Sequence, residues 1–236
     1  MNSLKFTLKG KTAFFKIPEV NSVCYFTYGN IHKPALLGIL GAVLGYGGYT
    51  QQKQNGSEFP EYYEKLHDIN ISIVPLSRDG YFSKKIQKFN NSVGYASQEQ
   101  GGNLIVSEQW LEYPAWTIYI KLDCIEADYA AERLMKGNYI YVPYLGKNEH
   151  PASITDVKIA ELSQADHDEC ILKCLTPADA VTFDEDFSFK YQEYLPIGLE
   201  SAANQYISKK FVLSDAEILE CSMPIYEDNE NQIVFY

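Results

Sequence analysis

Along the opening stretch the apolar positions fall on every second residue. Leu4, Phe6 and Leu8 alternate with Lys5, Thr7 and Lys9, and Ala13 to Ile17 continue apolar. This pattern predicts one strand over residues 3–17 with a basic face, ended by Pro18. The period then changes. In HKPALLGILGAVLGYGGY, His32 to Tyr49, residues Leu36, Leu37, Ile39, Leu40, Val43 and Leu44 recur at helical spacing, with Pro34 in the first turn and Gly47-Gly48 as the expected stop. Gly38, Gly41 and Gly45 lie inside this run, although each glycine costs roughly 1 kcal/mol relative to alanine in a helix. No charge follows Lys33, so the helix is expected to be buried on most sides and to let a strand or a ligand come unusually close.

Further on, Ser57 is expected to cap a short helix in SEFPEYYEKLHD, and Ile69 to Leu76 is rich in β-branched residues. Residues 77–103 are polar, basic and glycine-containing, which predicts a projecting hairpin or long loop. LIVSEQWLEYPAWTIYIKLD returns to a strand pattern with Trp110 and Trp116 as core anchors. ADYAAERLMKGN reads as an amphipathic helix closed by Gly137. NYIYVPYLGKNEHPASITDVKIAEL then reads as strand, turn, strand, and beyond about residue 165 short strands alternate with acidic turns. The order predicts an α+β fold: a split βαβ, ferredoxin-like domain over residues 1–165, and an acidic, β-rich extension over 166–236 packed on it.

With 46% hydrophobic and 22% charged residues, the composition is that of an ordinary soluble globular protein. The N-terminus is too basic and too alternating for a signal peptide, and Pro34 to Tyr49 is too short to span a bilayer, so a cytoplasmic location without membrane attachment is expected. The net charge of −11 argues against a nucleic-acid partner until its distribution is considered. Residues 1–121 carry a net +3 and residues 122–236 a net −14. Lys5, Lys9, Lys11 and Lys16 precede any acid, and Arg78, Lys84, Lys85 and Lys88 are opposed only by Asp79. An anionic ligand would therefore meet the first half, while the acidic half faces solvent or a basic protein partner.

Candidate catalytic chemistry is sparse. The five cysteines are odd in number and lack CxxC spacing, so neither a disulfide framework nor a zinc ribbon is expected. DHDECILKC, Asp166 to Cys174, suggests metal ligation, but on a strand Cys170, Leu172 and Cys174 share one face, which favours packing. The glycines around position 41 fit neither a dinucleotide fingerprint nor a P-loop. GxSxG and HExxH are absent, and no cofactor is expected. His32 beside Lys33 at a helix start is either a solvated loop residue or part of an anion site. Lys84, Lys85 and Lys88 are either a solvated loop or phosphate contacts.

Three stretches, FxLxGKTAFFKIPE from Phe6, HKPALLGILGAVLGYGGY and PYLGKNEHPASI (Pro143 to Ile154), together resemble the CRISPR-associated protein 5 family of type I surveillance complexes (Cascade). The third looks most like the type I-B branch, and the likeness spans roughly residues 3–160. The resemblance implies a modified RNA-recognition-motif domain with an inserted β-hairpin thumb, here at about residues 77–103. It also implies an antiviral role: capping the 5′ handle of the CRISPR RNA, touching the first backbone subunit through the thumb, adjoining the large subunit, and meeting target DNA only through the complex. Under it, Lys9, Lys11, His32 and Lys33 face RNA phosphates, and Tyr28 and Tyr46, with Tyr25 nearby, are within reach of its bases. Lys84, Lys85 and Lys88 of the thumb and Lys147 and Asn148 of the third stretch complete the set. Branches that cut precursor RNA use a tyrosine with a Lys-His pair, whereas here His32 precedes Lys33 and no Lys-His dipeptide occurs. A non-catalytic subunit is therefore expected. The alternative is an endoribonuclease drawing its acid and base from His32, Tyr46, Lys84 and Lys85.

Overall fold

A computed structural model describes residues 1–19, 23–95, 98–165 and 170–236. Its first two-thirds contain strands β1 (Asn2–Lys9), β2 (Thr12–Ala13), β3 (Ile71–Pro75), β4 (Lys84–Asn90), β5 (Ile105–Glu112), β6 (Ala115–Lys121) and β7 (Ser153–Glu161). The helices are α1 (Lys33–Leu44), α2 (Tyr49–Asn55), α3 (Glu61–Leu66) and α4 (Ile125–Met135). Short strands follow: β8 (Ser163–Gln164), β9 (Thr176–Pro177), β10 (Val181–Phe183), β11 (Lys190–Leu199), β12 (Tyr206–Ser214), β13 (Ile218–Cys221), β14 (Tyr226–Glu227) and β15 (Gln232–Ile233). The fold is α+β. The principal sheet runs β3-β6-β1-β7, antiparallel throughout, the strand order and directions of a split βαβ unit.

Strand alternation decides what each face of that sheet meets. Leu4, Phe6 and Leu8, with Ile71, Ile73, Trp116, Ile118 and Ile120, pack with residues of α1 and α4 in the larger core. The opposite face holds Lys5, Ser72, Val74 and Tyr119, and it too is covered: Val74 and Tyr119 join Leu172, Ile225, Ile233, Val234 and Phe235 in a second core. Tyr236 pairs alongside the edge strand β3, exchanging both main-chain hydrogen bonds with Ile71.

Five local expectations are corrected. The predicted strand 3–17 is broken at Gly10, whose N–H bonds to Pro114 and whose Cβ, were there one, would lie 2.6 Å from Leu145; β1 enters the principal sheet, and β2 a second one of order β2-β5-β4. The projecting hairpin spans β4 and β5 rather than residues 77–103, because LIVSEQWLE is its second arm, and the core strand starts only after the left-handed Tyr113 (φ 47°). α1 stops at Leu44 with Gly45 (φ 82°) as its cap, and the polar YTQQKQN forms an extra helix, α2. Ser57 closes the end of α2 through a bond from its N–H to Gln52, and α3 begins after Pro60. Residues 139–143 are not a strand; the N–H groups of Ile140 and Tyr141 bond to carbonyls at the end of α1.

Trp116 is fully buried, whereas Trp110 is half-buried on the hairpin. Cys170, Leu172 and Cys174 are buried together. Asp166, His167, Asp168 and Glu169, and with them the expected domain boundary at 165/166, lie outside the described residues. Among the described residues no cluster is placed to hold a metal ion, and no helix is long and apolar enough to cross a membrane.

Candidate nucleic-acid interface

The glycines of α1 open one side of the helix. A Cβ on Gly41 would stand 2.5 Å from the Cβ of Tyr62 on α3, so the close approach is between two helices and not, as the sequence suggested, between helix and sheet or ligand. Gly38, one turn earlier, has only Tyr62 Cε2 at 4.0 Å in front of it and lines open space. That space is a cleft of about 790 Å³ along α1, with Lys16, Tyr46, Gly47, Tyr144, Lys147 and Tyr206 among its walls. Tyr46 carries the Lys65 ammonium 4.3 Å above its ring.

At the helix start, His32 is the N-cap: its Nδ1 accepts from the Ala35 N–H at 3.3 Å. The ring is 2% exposed and edge-on to Phe15, Tyr28 and Tyr206, and burial pushes its pKa down to about 3, so the cap is a neutral imidazole. Tyr28 is buried as well, its hydroxyl pushed up to about 12 chiefly by burial. Lys33, the neighbouring cation, donates to the main-chain oxygen of Tyr236 at 3.2 Å, and burial lowers its pKa. The positive end of α1 thus faces its own chain.

The hairpin's base gathers a second group. Lys147 lies 3.0 Å from the buried Glu108 and over the rings of Phe14 and Phe89. Glu108 also accepts from Trp110 Nε1 at 2.8 Å, and Trp110 packs edge-on to His150 with ring centroids 4.6 Å apart. His150 is buried and held by Thr12 Oγ1 at 2.7 Å, its pKa lowered by burial and then by Lys147. Lys85 reaches Glu112 at 3.7 Å and the Trp110 ring at 5.8 Å, and Lys84 approaches the Thr27 carbonyl at 3.5 Å. Lys88 projects on the hairpin's other face with the exposed Ile86 and Ile105. Lys9, Lys11 and Asn148 are exposed.

Of the residues expected to contact RNA, the cleft therefore collects His32, Tyr46 and Lys147, while Lys84 and Lys85 stand at the hairpin base and Lys9, Lys11, Lys88 and Asn148 on open surface. Sequence reasoning missed Lys16, Tyr49, Tyr144 and Tyr206 as cleft residues. A tyrosine beside the glycine pair was a signal for Tyr49; Tyr206 carried none, because it comes from the acidic half.

No protein-family model matches the sequence, and no curated protein does. Solved structures do. A chain of a "CRISPR RNA-guided surveillance complex" superposes with a TM-score of 0.54 at 13% identity, covering 92% of this chain and 91% of that one. A CRISPR protein from Archaeoglobus fulgidus gives 0.55, also at 13%, over 99% and 98% of the two chains. At this identity the likeness is one of fold.

Proposed function

We propose that the chain is a non-catalytic RNA-binding subunit of a type I CRISPR surveillance complex (Cascade), of the CRISPR-associated protein 5 kind and nearest the I-B branch, which holds the 5′ handle of the CRISPR RNA. The observation that carries this reading is the near full-length likeness of fold to CRISPR proteins, one of them from an RNA-guided surveillance complex. The cleft supports it: single-stranded RNA is held by phosphate contacts together with stacking on aromatic faces, and Tyr46, Tyr49 and Tyr144 stand beside Lys16 and Lys147. On the hairpin, the exposed Ile86, Val93, Leu104 and Ile105 around Lys88 suit a protein neighbour, the backbone subunit, with the large subunit adjoining elsewhere and target DNA met only through the complex. Binding rather than cutting is favoured because His32 is buried, neutral and already engaged as a helix cap.

The test is incubation of the purified chain, alone and in the co-expressed complex, with end-labelled repeat RNA. Retention of intact RNA is expected. Cleavage would make the chain the processing endoribonuclease, and absence of binding in both settings would reduce it to a protein-interaction module.

A further inference from the structure

The open space beside α1 does not end at Tyr206. A second lobe of about 570 Å³ continues from it between Pro18-Glu19 and the turn that joins β11 to β12, and Lys16, Tyr49 and Tyr206 line both lobes. Each lobe is of the size of a small-molecule site, about 300–1,000 Å³. Their walls differ. The first is lined by tyrosines and by Gly47 and Gly48; the second by Pro18, Glu19, Asn204 and Gln205.

Lys16 stands at the junction. It is exposed, its ammonium lies 4.1 Å from the centre of the Tyr25 ring, and among the described residues no carboxylate pairs with it. Lys147, the other cation of the first lobe, is paired with Glu108. The far wall is fixed in place: Asn204, in a left-handed conformation (φ 53°), accepts from Gln52 Nε2 at 2.6 Å and donates to the Glu58 carbonyl at 3.0 Å. The Glu200 carboxylate accepts from the N–H groups of Ala202, Ala203 and Gln205 and holds the same turn. Two preformed lobes with, between them, a cation that no carboxylate pairs among the described residues match a ligand of two flat units joined by one anionic link.

We propose that the double cleft holds two successive nucleotides of one RNA strand, with Lys16 on the phosphate between them, the first base on the tyrosines of the α1 lobe and the second against Asn204, Gln205 and Glu19. This rests on the reading of the chain as an RNA-binding subunit. It gives the acidic half of the chain a direct part in the site, for Tyr206 and the turn before it form one bank of the channel. A carboxylate in such a wall suits the N–H donors of a base edge, as when Glu accepts from a cytosine amino group.

The experiment titrates labelled single-stranded repeat RNA into the full chain, alone and in the co-expressed complex, at two salt concentrations. Wild type, Lys16→Ala, Tyr49→Ala and Lys158→Ala are compared, the last being a lysine of β7 outside the cleft, with a melting curve for each. Loss of one phosphate contact lowers the salt slope by about 0.7 for a single strand, so Lys16→Ala is expected to bind more weakly with that reduced slope. Loss of one stacked base is expected to weaken Tyr49→Ala about tenfold with an unchanged slope. Lys158→Ala should match wild type. A photocrosslink from a thiouridine-substituted RNA to the wild-type chain should map to the peptides carrying Tyr49 and Tyr206. Wild-type binding that survives both Lys16→Ala and Tyr49→Ala unaltered, or crosslinks confined to the hairpin, overturns the proposal while leaving the RNA-binding function standing. A wild type that binds no RNA, alone or in the complex, removes both.

Discussion

Lys5 Nζ lies 2.7 Å from Asp228 Oδ2, joining positions 223 residues apart in the chain. Glu230 is a second partner at 2.5 Å, and the Tyr119 hydroxyl donates to Asp228 at 2.9 Å. A lysine of the basic opening strand is thereby withdrawn from any anionic ligand and tied to the acidic half.

Replacing Lys5 by methionine should therefore be a stability variant. The Lys5 and Asp228 side chains are at most 10% exposed, and breaking such a pair costs about 3–5 kcal/mol. About 3 kcal/mol is expected, because Asp228 keeps the Tyr119 hydroxyl. Burial raises the Asp228 pKa, but Lys5 and the neighbouring N–H groups outweigh it and hold the carboxyl low. Its contribution is thus present above about pH 4, the unfolded value, and is lost as the pH falls through the folded one. Urea unfolding of wild type, Lys5→Met and the double variant Lys5→Met, Asp228→Asn checks this; the double variant should recover part of the loss.

His32 gives the acid side of the stability profile a second component. Its folded pKa of about 3 lies below the unfolded value of about 6.5. Below pH 6.5 the unfolded chain binds a proton that the folded chain refuses, so stability falls with pH by up to about 1.4 kcal/mol per unit. His32→Asn keeps a cap acceptor and removes this dependence. Between pH 7 and pH 5 wild type should lose about 2 kcal/mol more than the variant. Equal losses would show that His32 takes up a proton in the folded state.

Two glycines one turn apart should respond with opposite sign. Gly38→Ala meets its nearest neighbour only at 4.0 Å and gains helix propensity, a stabilisation of up to about 1 kcal/mol. Gly41→Ala drives its methyl into Tyr62 Cβ at 2.5 Å and should lose about 1–3 kcal/mol. Thermal melts of the two variants side by side are sufficient; the same sign in both would mean that α3 is free to move away.

Lysines of the hairpin region should separate in the same way. Lys147→Ala leaves Glu108, 5% exposed, with the Trp110 N–H as its one remaining side-chain partner among the described residues and should cost about 3 kcal/mol. Lys88→Ala, on exposed surface, should stay within about 0.5 kcal/mol of wild type while lowering the yield of the complex proposed above. Chemical denaturation and size-exclusion profiles of the co-expressed complex distinguish the two.

Periodicity made the framework legible: Leu4-Phe6-Leu8, Ile69 to Leu76, the run from Trp116 and the helix ending near Gly137 all occupy the elements they predicted. It failed where one signal served two structures. LIVSEQWLE alternates as a core strand does, yet its partner is Lys84–Asn90 of the hairpin. Charge counted by halves made Lys5 and Lys33 look available, and the third family-like stretch did so for Lys147, but each has a partner distant in sequence, Asp228, Tyr236 or Glu108. Glycine spacing announced a close approach without saying whose, and Tyr62 answered for Gly41.

The covering of the second sheet face also sets an order of events during synthesis. Ser3 pairs with Lys121 and Ala160, so the first strand made waits for partners far downstream. Val74 and Tyr119 wait longer, for Ile225, Ile233, Val234 and Phe235. Pairings of such long sequence separation form slowly, and an uncovered apolar face is what chaperones recognise and what aggregates. A nascent chain halted before Ile225 would leave the ribosome with its sheet half-clothed, so a truncation there forfeits solubility and not merely a tail.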